Sequence, residues 1–587
     1  MGSAKSNNRR FKGVGASPGI AIGCVRVTDR SRVAVSEEYL LPADIPVEVS
    51  RFMEALDQAR EELRGIRTQL SDERGPEHLY VIDTHLMMLE DSMFQHEAVS
   101  LIESEGINAE WALKKAIQKF RDFFAAIEDD YLRERAGDIE IVGERVLRRL
   151  VGKQHEPLSA VPDKAMVVAH DLSPADILQI DKGKVIGFVT DLGGKTSHSA
   201  ILARALEIPA VVGLERITVE VADGEAMIID GSAGVVIINP DQETFRDYLQ
   251  RKLHYEYIEE ELAKLRDLPA VTTDGYRVSL KGNVEFSEEI PSLKGHGGEG
   301  IGLYRTEMLF FNRVLLPGED EQFAVYSSIV REMSPQPVTI RTLDVGGDKF
   351  VADLNLADEL NPALGLRAIR LSLRQPETFK PQLRAILRAS ALGKVRIFFP
   401  MISGIGEIRE VKRLLDEAKA ELRTEGLPFD EAIEIGIMIE IPSAVIIADL
   451  LAREVDFFSV GTNDLIQYSL AIDRTNEHLA HLNEPLHPAV LRSLKMVVEA
   501  AHAAGIDACI CGEMAGEPDY LPILLGLGFD ELSMNAISIP RVKRILRRCS
   551  KVEAEALVAR ALEFRTAQEI ETFLKGEITA HYAESFD

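Results

Sequence analysis

The sequence predicts a multidomain α/β protein: an α/β domain interrupted by an inserted helical subdomain, then a helical linker, then a C-terminal (β/α)8 TIM barrel. Three observations carry this reading. Residues 1–34 and 155–240 share frequent glycine and short β-branched runs, whereas 51–150 between them contains one proline, Pro76, and long helical patterning. Residues 241–267 contain neither Gly nor Pro, and Phe245, Leu249, Leu253, Ile258, Leu262 and Leu265 fall at roughly helical spacing. From 269 to 587, strand-like and helix-like stretches alternate. With 587 residues the chain has room for about four domains, or fewer when one of them is a barrel.

The first domain is built from AMVVAHDL (165–172), VIGFVTDL (185–192), AMIID (226–230) and VVIINP (235–240), with Gly231 to Gly234 forming a hairpin turn between the last two. In the insert, Phe52, Leu56, Ala59, Leu63, Ile66 and Leu70 step by four and three, which puts them on one helix face. The glycine-free stretch is read either as a stiff spacer between domains or as a helix packed on a neighbour. Strands of the C-terminal region are expected at 277–286, 300–306, 338–345, 395–402, 433–441, 456–461, 507–512 and 530–535. Helical segments separate most of them, and eight β/α units close into a barrel. The alternative is an open doubly wound sheet, but no strand–GxGxxG–helix unit supports it.

Composition removes several classes of function. Lys+Arg 67 against Asp+Glu 95 leaves a net charge of −28, which disfavours nucleic acid and anionic membranes as partners. No apolar stretch is long enough to span a bilayer, and the polar start MGSAKSNNRRFKG has no secretory apolar core. Four cysteines (Cys24, Cys509, Cys511, Cys549) are too few and too poorly spaced for a disulfide framework or a zinc site, so a reducing, cytoplasmic location is expected.

Chemistry gathers where β/α barrels place it, at the C-terminal ends of strands. Strand two ends in Arg305-Thr306-Glu307, strand three in Arg341 and Asp344, strand five in Glu440-Ile441-Pro442, strand six in Gly461-Thr462-Asn463-Asp464 and strand seven in Cys511-Gly512-Glu513. Two carboxylates from adjacent strands, Glu440 and Asp464, suit Mg²⁺, which keeps waters and takes further ligands from a phosphate-bearing substrate. Arg305, Arg341 and Arg474 supply forked donors for phosphoryl and carboxylate groups, and Asn463 a neutral donor. Metal and arginines together are the equipment of phosphoryl transfer. Cys511 reads either as a buried inert thiol or as an acid/base group.

A second constellation lies in Gly193-Gly194-Lys195-Thr196-Ser197-His198-Ser199. It is not a P-loop, because GxxxxGK[ST] requires glycine at 189 and Val189 stands there; Gly13, Gly15 and Gly19 likewise miss GxGxxG through Pro18. A strand, a glycine turn and a helix opening at Thr196 or Ser197 would place His198 in a first helical turn. There the macrodipole keeps imidazole neutral and nucleophilic, and it favours an attached anion.

GGKTSHSAILARALEIPAVVG, GLYRTEMLF, NPALGLRAIR, RAILRAS, FPMI, IEIGIMIEIPSA, DFFSVGTNDLIQYSLAIDR and CGEMAG together resemble the Enzyme I family of the bacterial sugar phosphotransferase system, phosphoenolpyruvate–protein phosphotransferases, within the wider group of phosphoenolpyruvate-utilising enzymes. The resemblance spans nearly the whole chain. It implies that 1–34 and 155–240 form a mobile phosphohistidine domain and that 35–154 docks the small phosphocarrier HPr, with His85 to Phe94 as contact helix. It implies further that 241–268 is a linker and that 269–587 binds phosphoenolpyruvate and forms a homodimer. His198 matches the phosphorylated histidine, supported by Gly194, Thr196 and Ser197. Arg305, Arg341, Asn463, Asp464, Arg474 and Arg367 match substrate-gripping positions, Glu440 and Asp464 the Mg²⁺ ligands, and Cys511 the residue that protonates the enolate carbon. Lys195 replaces an arginine common in the family, which keeps charge but loses bidentate geometry. The family's ATP-using members carry an ATP-binding domain ahead of the phosphohistidine domain, and only about twelve residues precede the first family-like segment here. The expected activity is therefore phosphoryl transfer from phosphoenolpyruvate to His198 and on to HPr, releasing pyruvate. An ATP-dependent pyruvate phosphotransferase and a phosphoenolpyruvate-sensing scaffold are the alternatives.

Overall fold

A computed structural model describes residues 8–28, 35–73, 79–125, 130–152, 161–172, 174–177, 180, 183–194, 200, 203–204, 206–310, 316–346, 361–473, 476 and 478–586. The chain divides into two compact units, Met1–Glu260 and Glu261–Asp587.

The first unit holds an eight-stranded sheet. Its strands are β1 (Arg9–Lys12), β2 (Val14–Ser17), β3 (Ile20–Val27), β4 (Ala165–Ala169), β5 (Val185–Thr190), β6 (Ala210–Val212), β7 (Ala226–Asp230) and β8 (Val235–Ile238), in the spatial order β1-β8-β7-β3-β4-β5-β6-β2. β3 to β6 pair in parallel, and β7, β8, β1 and β2 join antiparallel to their neighbours. The central strands are buried along their length, as parallel strands covered on both faces require. β7 and β8 form the expected hairpin, pairing Met227 with Ile238 and Asp230 with Val235. Its turn admits no side chain at Gly231, where a Cβ would stand 1.9 Å from the Ser17 carbonyl oxygen, and Gly234 takes the left-handed φ of +64°.

Between β3 and β4 the chain leaves the sheet for five long helices: Ile45–Glu73, Leu79–Glu90, Ser92–Glu105, Ala109–Ala125 and Asp130–Leu150. Phe52, Leu56, Ala59 and Leu63 are fully buried, as their spacing predicts, and Ile66 packs partly against them. The side chain of Leu70 lies outside the described residues. Arg51 ties helix ends together by bridging Glu48 at 2.7 Å and Glu110 at 2.6 Å. The glycine-free stretch forms the helix Gln242–Ala263, and Tyr248 seats its first turns on Ile228, Val235 and Ile237.

The second unit is a closed barrel of eight parallel strands. They are β9 (Ser279–Val284), β10 (Ile301–Tyr304), β11 (Val338–Arg341), β12 (Val395–Phe399), β13 (Glu434–Ile439), β14 (Phe457–Val460), β15 (Asp507–Ile510) and β16 (Glu531–Met534). Each falls inside one of the eight stretches the sequence predicts. Alternate residues face inward along every strand and stack in layers. One buried group inside the barrel is ionic: the Glu531 carboxylate receives Lys281 Nζ, and Arg396 Nη2 donates to both its oxygens, at 3.0 Å to Oε1 and 2.8 Å to Oε2. Arg396 also lies over the Phe457 ring, 4.5 Å from its centroid. Beside this group Leu303, Phe398, Met438, Phe457, Cys509 and Cys511 form one buried apolar cluster, with Cys509 in register with Glu531.

This ionic group is a stability element. Burial alone would push the Glu531 carboxyl up, but Arg396 and Lys281 more than offset it and hold it below the ordinary carboxylate range. Its contribution is therefore present at neutral pH and lost only as pH falls through that lowered value. Glu531→Ala leaves two buried cations unpaired and is expected to cost about 3–5 kcal/mol in denaturant unfolding followed by far-ultraviolet circular dichroism. A loss below about 1 kcal/mol, the range of surface pairs, would show that the group is not an isolated buried network.

Candidate active site

The barrel's rim carries the polar side chains. Arg341 closes β11, and its Nη2 donates to Glu307 Oε1 at 3.0 Å while Nη1 pairs with Asp344 Oδ2 at 2.9 Å. Asp344 is shared: its Oδ1 accepts from Arg367 Nη2 at 2.9 Å. Arg367 continues through Nη1 to the Tyr468 hydroxyl at 3.2 Å and to Asp464 Oδ1 at 3.6 Å. Arg305, just beyond β10, is paired with Glu285 beyond β9. Asn463 exchanges hydrogen bonds with Glu513, donating to Oε1 at 3.0 Å and accepting from the backbone N–H at 3.2 Å, so its amide is tied to the next loop.

Glu440, beyond β13, has no exposed surface. Its Oε1 accepts from the Met401 backbone N–H at 2.6 Å, and its Oε2 is buried with no partner among the described residues. Gly461 leaves room for that oxygen, because a Cβ there would stand 2.8 Å from it. Burial pushes the Glu440 carboxyl up, Asp464 and Asp344 add to this, and Arg341 and Arg367 offset only part. Burial opposes charge on Arg341 too, but Glu307, Asp344 and Glu440 around it more than restore its hold on the proton. Met401 at φ +58° and Ala368 at φ +52° hold left-handed backbone beside Glu440 and Arg367, strain of the kind that clusters at functional sites. Among the described residues no three His, Cys, Asp or Glu side chains converge on a metal position. What remains is two carboxylates, one with a bare buried oxygen.

Cys511 follows β15 with its sulfur inside the barrel. Burial pushes the thiol up to about 11, and the Ser459 hydroxyl and Arg341 offset this only partly. It is thus a protonated thiol at neutral pH, equipped to give a proton rather than to attack as a thiolate.

Arg305, Arg341, Arg367, Asp464, Glu440 and Cys511 therefore share one rim. Arg474 lies outside the described residues, as do His198, Thr196, Ser197 and Lys195. Gly194 is described and half-buried, four residues after β5 ends. The strand end from which that segment departs is fixed by a residue the sequence reading passed over: buried Asp191 accepts from Thr218 N–H at 3.0 Å and Thr218 Oγ1 at 2.5 Å, and faces His170 Nδ1 at 2.9 Å. Glu285 was also passed over, and Asp344, placed at a strand end, was given no role. Parity was the available signal for Glu285, which stands two and four residues after inward-facing Asn283 and Lys281. One expectation needs correction. His85, proposed within a partner-contacting helix, is buried with Leu86 and Leu89; Met87, Glu90 and Asp91 are the exposed described side chains of that stretch, which is broken into two helices at Asp91.

Comparison with known proteins agrees with this geometry. Three family models match: the N-terminal domain of phosphoenolpyruvate-utilising enzymes over 12–135, their mobile domain over 161–234 and their phosphoenolpyruvate-binding domain over 259–551. The class is thus that of enzymes that use phosphoenolpyruvate. The chain is 43% identical to the phosphoenolpyruvate-protein phosphotransferase of Staphylococcus carnosus, covering 96% of this chain and 98% of that one. It is likewise 43% identical to that of Bacillus subtilis, covering 97% and 99%. A solution NMR structure of an Enzyme I protein, nEIt, is 39% identical over 42% of this chain and 99% of its own, with a TM-score of 0.37. This chain belongs to the phosphoenolpyruvate–protein phosphotransferase, or Enzyme I, family.

The bare Glu440 oxygen makes a testable cost. A carboxyl whose folded-state value is raised contributes most at low pH and loses that contribution as pH rises through the raised value. In chelator-treated protein, Glu440→Gln is expected to match wild type in mildly acidic buffer and to exceed it by about 1–3 kcal/mol in mildly alkaline buffer. Thermal melts across that range check this, and a pH-independent difference would contradict it.

Proposed function

We propose that the protein takes the phosphoryl group of phosphoenolpyruvate onto His198 and passes it to the phosphocarrier HPr, releasing pyruvate, as the first step of a sugar phosphotransferase system. The observation that carries this reading is the combination at one rim of an unpartnered buried carboxylate oxygen, a chain of arginines and a protonated buried thiol.

Mg²⁺ fits the donor set: Glu440 Oε2 and Asp464 would hold it, with its other ligands from substrate and water. When bound it supplies charge neutralisation for the phosphoryl and enolate oxygens. Arg305 and Arg341 bind the substrate's anionic groups, and Arg367 positions Asp464 from the side. Arg474 and Asn463 complete the grip, Asn463 exchanging its Glu513 partner for substrate. His198 attacks phosphorus in line; the N–P bond forms as the P–O bond to the enol oxygen breaks, and the enolate leaves with that electron pair. Cys511 then gives its S–H proton to carbon 3, which turns the enolate into the ketone of pyruvate, and the thiolate regains a proton from water.

His198 must serve both phosphoenolpyruvate and HPr, so the domain made of 1–34 and 155–240 moves between them while 35–154 docks the partner. On this reading the protein is cytoplasmic and pairs through its barrel. Among the described residues no helix is long and apolar enough to cross a membrane.

Incubation with phosphoenolpyruvate labelled in the phosphoryl group is expected to leave an acid-labile, base-stable label on His198 that moves to added HPr. His198→Ala should abolish it. Labelling at a wild-type rate in that variant would reassign the nucleophile, and no label on the wild type would leave a sensing scaffold. Cys511→Ala is expected to slow pyruvate formation about 10²–10⁴-fold, the usual worth of a general acid, with far less effect on phosphoenolpyruvate binding. Equal losses in both would make the thiol a packing residue.

A further inference from the structure

Cys511 is gripped at two atoms from two different strands. From β9, Asn283 Nδ2 donates to the Cys511 carbonyl at 3.0 Å, and Asn283 is itself fixed by Ser533 Oγ of β16, which donates to its Oδ1 at 2.7 Å. From β14, the hydroxyl of Ser459, 1% exposed, donates to Cys511 Sγ at 3.3 Å. The thiol's own proton faces the Val460 carbonyl oxygen at 3.6 Å. The sulfur's remaining company is the apolar cluster of Leu303, Phe398, Met438 and Phe457. A sulfur in that setting has little water to stabilise it once it has lost its proton, because the barrel interior is packed by these side chains.

We infer that Ser459 is a positioning residue for the proton transfer, aiming the Cys511 sulfur and supplying the hydrogen bond on which the nascent thiolate depends. The inference rests on Cys511 as proton donor to the enolate. In the step, the S–H bond breaks and leaves its pair on sulfur. The enolate π-pair forms the new C–H bond at carbon 3, and the enolate oxygen becomes the carbonyl. Before the step Ser459 O–H bonds a neutral sulfur; after it, the same bond meets a charged one and is stronger. A donor already in place needs no reorganisation as the charge develops. When the proton leaves sulfur slowly, the enolate takes protons from water on either face, so the hydroxyl also guards the one-sidedness of the transfer.

The test is single turnover of the full-length protein with phosphoenolpyruvate bearing one deuterium and one tritium stereospecifically at carbon 3, read as label on His198 and as chirality of the pyruvate methyl group. Ser459→Ala is expected to label His198 within about twofold of wild type, to form pyruvate about ten- to a hundredfold more slowly, as loss of a hydrogen bond to a charged group predicts, and to give a methyl group approaching racemic. Ser459→Thr, which keeps the hydroxyl, should restore chirality. Unchanged rate and chirality in Ser459→Ala would overturn the inference. So would parallel loss of labelling and pyruvate formation, which marks a structural role. Cys511→Ala run alongside separates the two layers of the argument: chiral pyruvate from that variant overturns the assignment of Cys511, whereas racemic pyruvate from it with chiral pyruvate from Ser459→Ala overturns Ser459 alone.

Discussion

The rim of the barrel is organised around a carboxylate that the protein does not satisfy. Glu440 has no exposed surface, one oxygen on a backbone N–H and the other with no partner among the described residues. Two guanidiniums lie in its electrostatic field, yet both are bonded elsewhere: Arg341 to Glu307 and Asp344, Arg367 to Asp344 and Tyr468. Burial therefore holds this carboxyl protonated, and ionising it is costly unless something outside the chain completes it. With Asp464 beside it, a divalent cation carrying an anionic substrate is the chemistry that answers both the charge and the empty coordination.

The contrast within the same barrel makes this argument stronger. On β16, Glu531 has the same chemical nature but receives both Lys281 and Arg396 and is held ionised by them. That group is closed upon itself and structural. The rim has its cations tied to Asp344, Glu307 and Glu285. Burial in the apolar cluster keeps Cys511 protonated. The buried ionic group and the rim groups thus belong to one barrel but largely to different strands of it, and on the proposed reading the first serves stability and the second the chemistry.

Much of this was legible in the sequence because eight strand-like stretches alternate with helical ones after residue 269. The charged groups just past their ends follow from the rule that barrel chemistry sits at C-terminal strand ends. What the sequence left obscure were short polar residues whose role comes from another strand: Ser459 against Cys511, Asn283 against the Cys511 carbonyl, Asp191 against Thr218. A serine inside FFSV reads as a core residue until β15 is placed beside it. Asp344 was visible as a strand-end residue, but its bridging of two arginines was not, since Arg367 lies beyond β11 with no fixed spacing to it. The burial of His85 was legible in its spacing. Ile82, His85, Leu86 and Leu89 follow the i, i+3, i+4, i+7 pattern of a buried helix face, and all four are buried.

The central claim is that Glu440 and Asp464 bind phosphoenolpyruvate only together with a divalent cation. Isothermal titration of phosphoenolpyruvate into the unphosphorylated His198→Ala protein, with Mg²⁺ and with chelator, tests it most directly. Tight binding with Mg²⁺ and loss of at least about a hundredfold in chelator, equivalent to ~2.7 kcal/mol, is the predicted result. Equal affinity in both buffers would contradict the account.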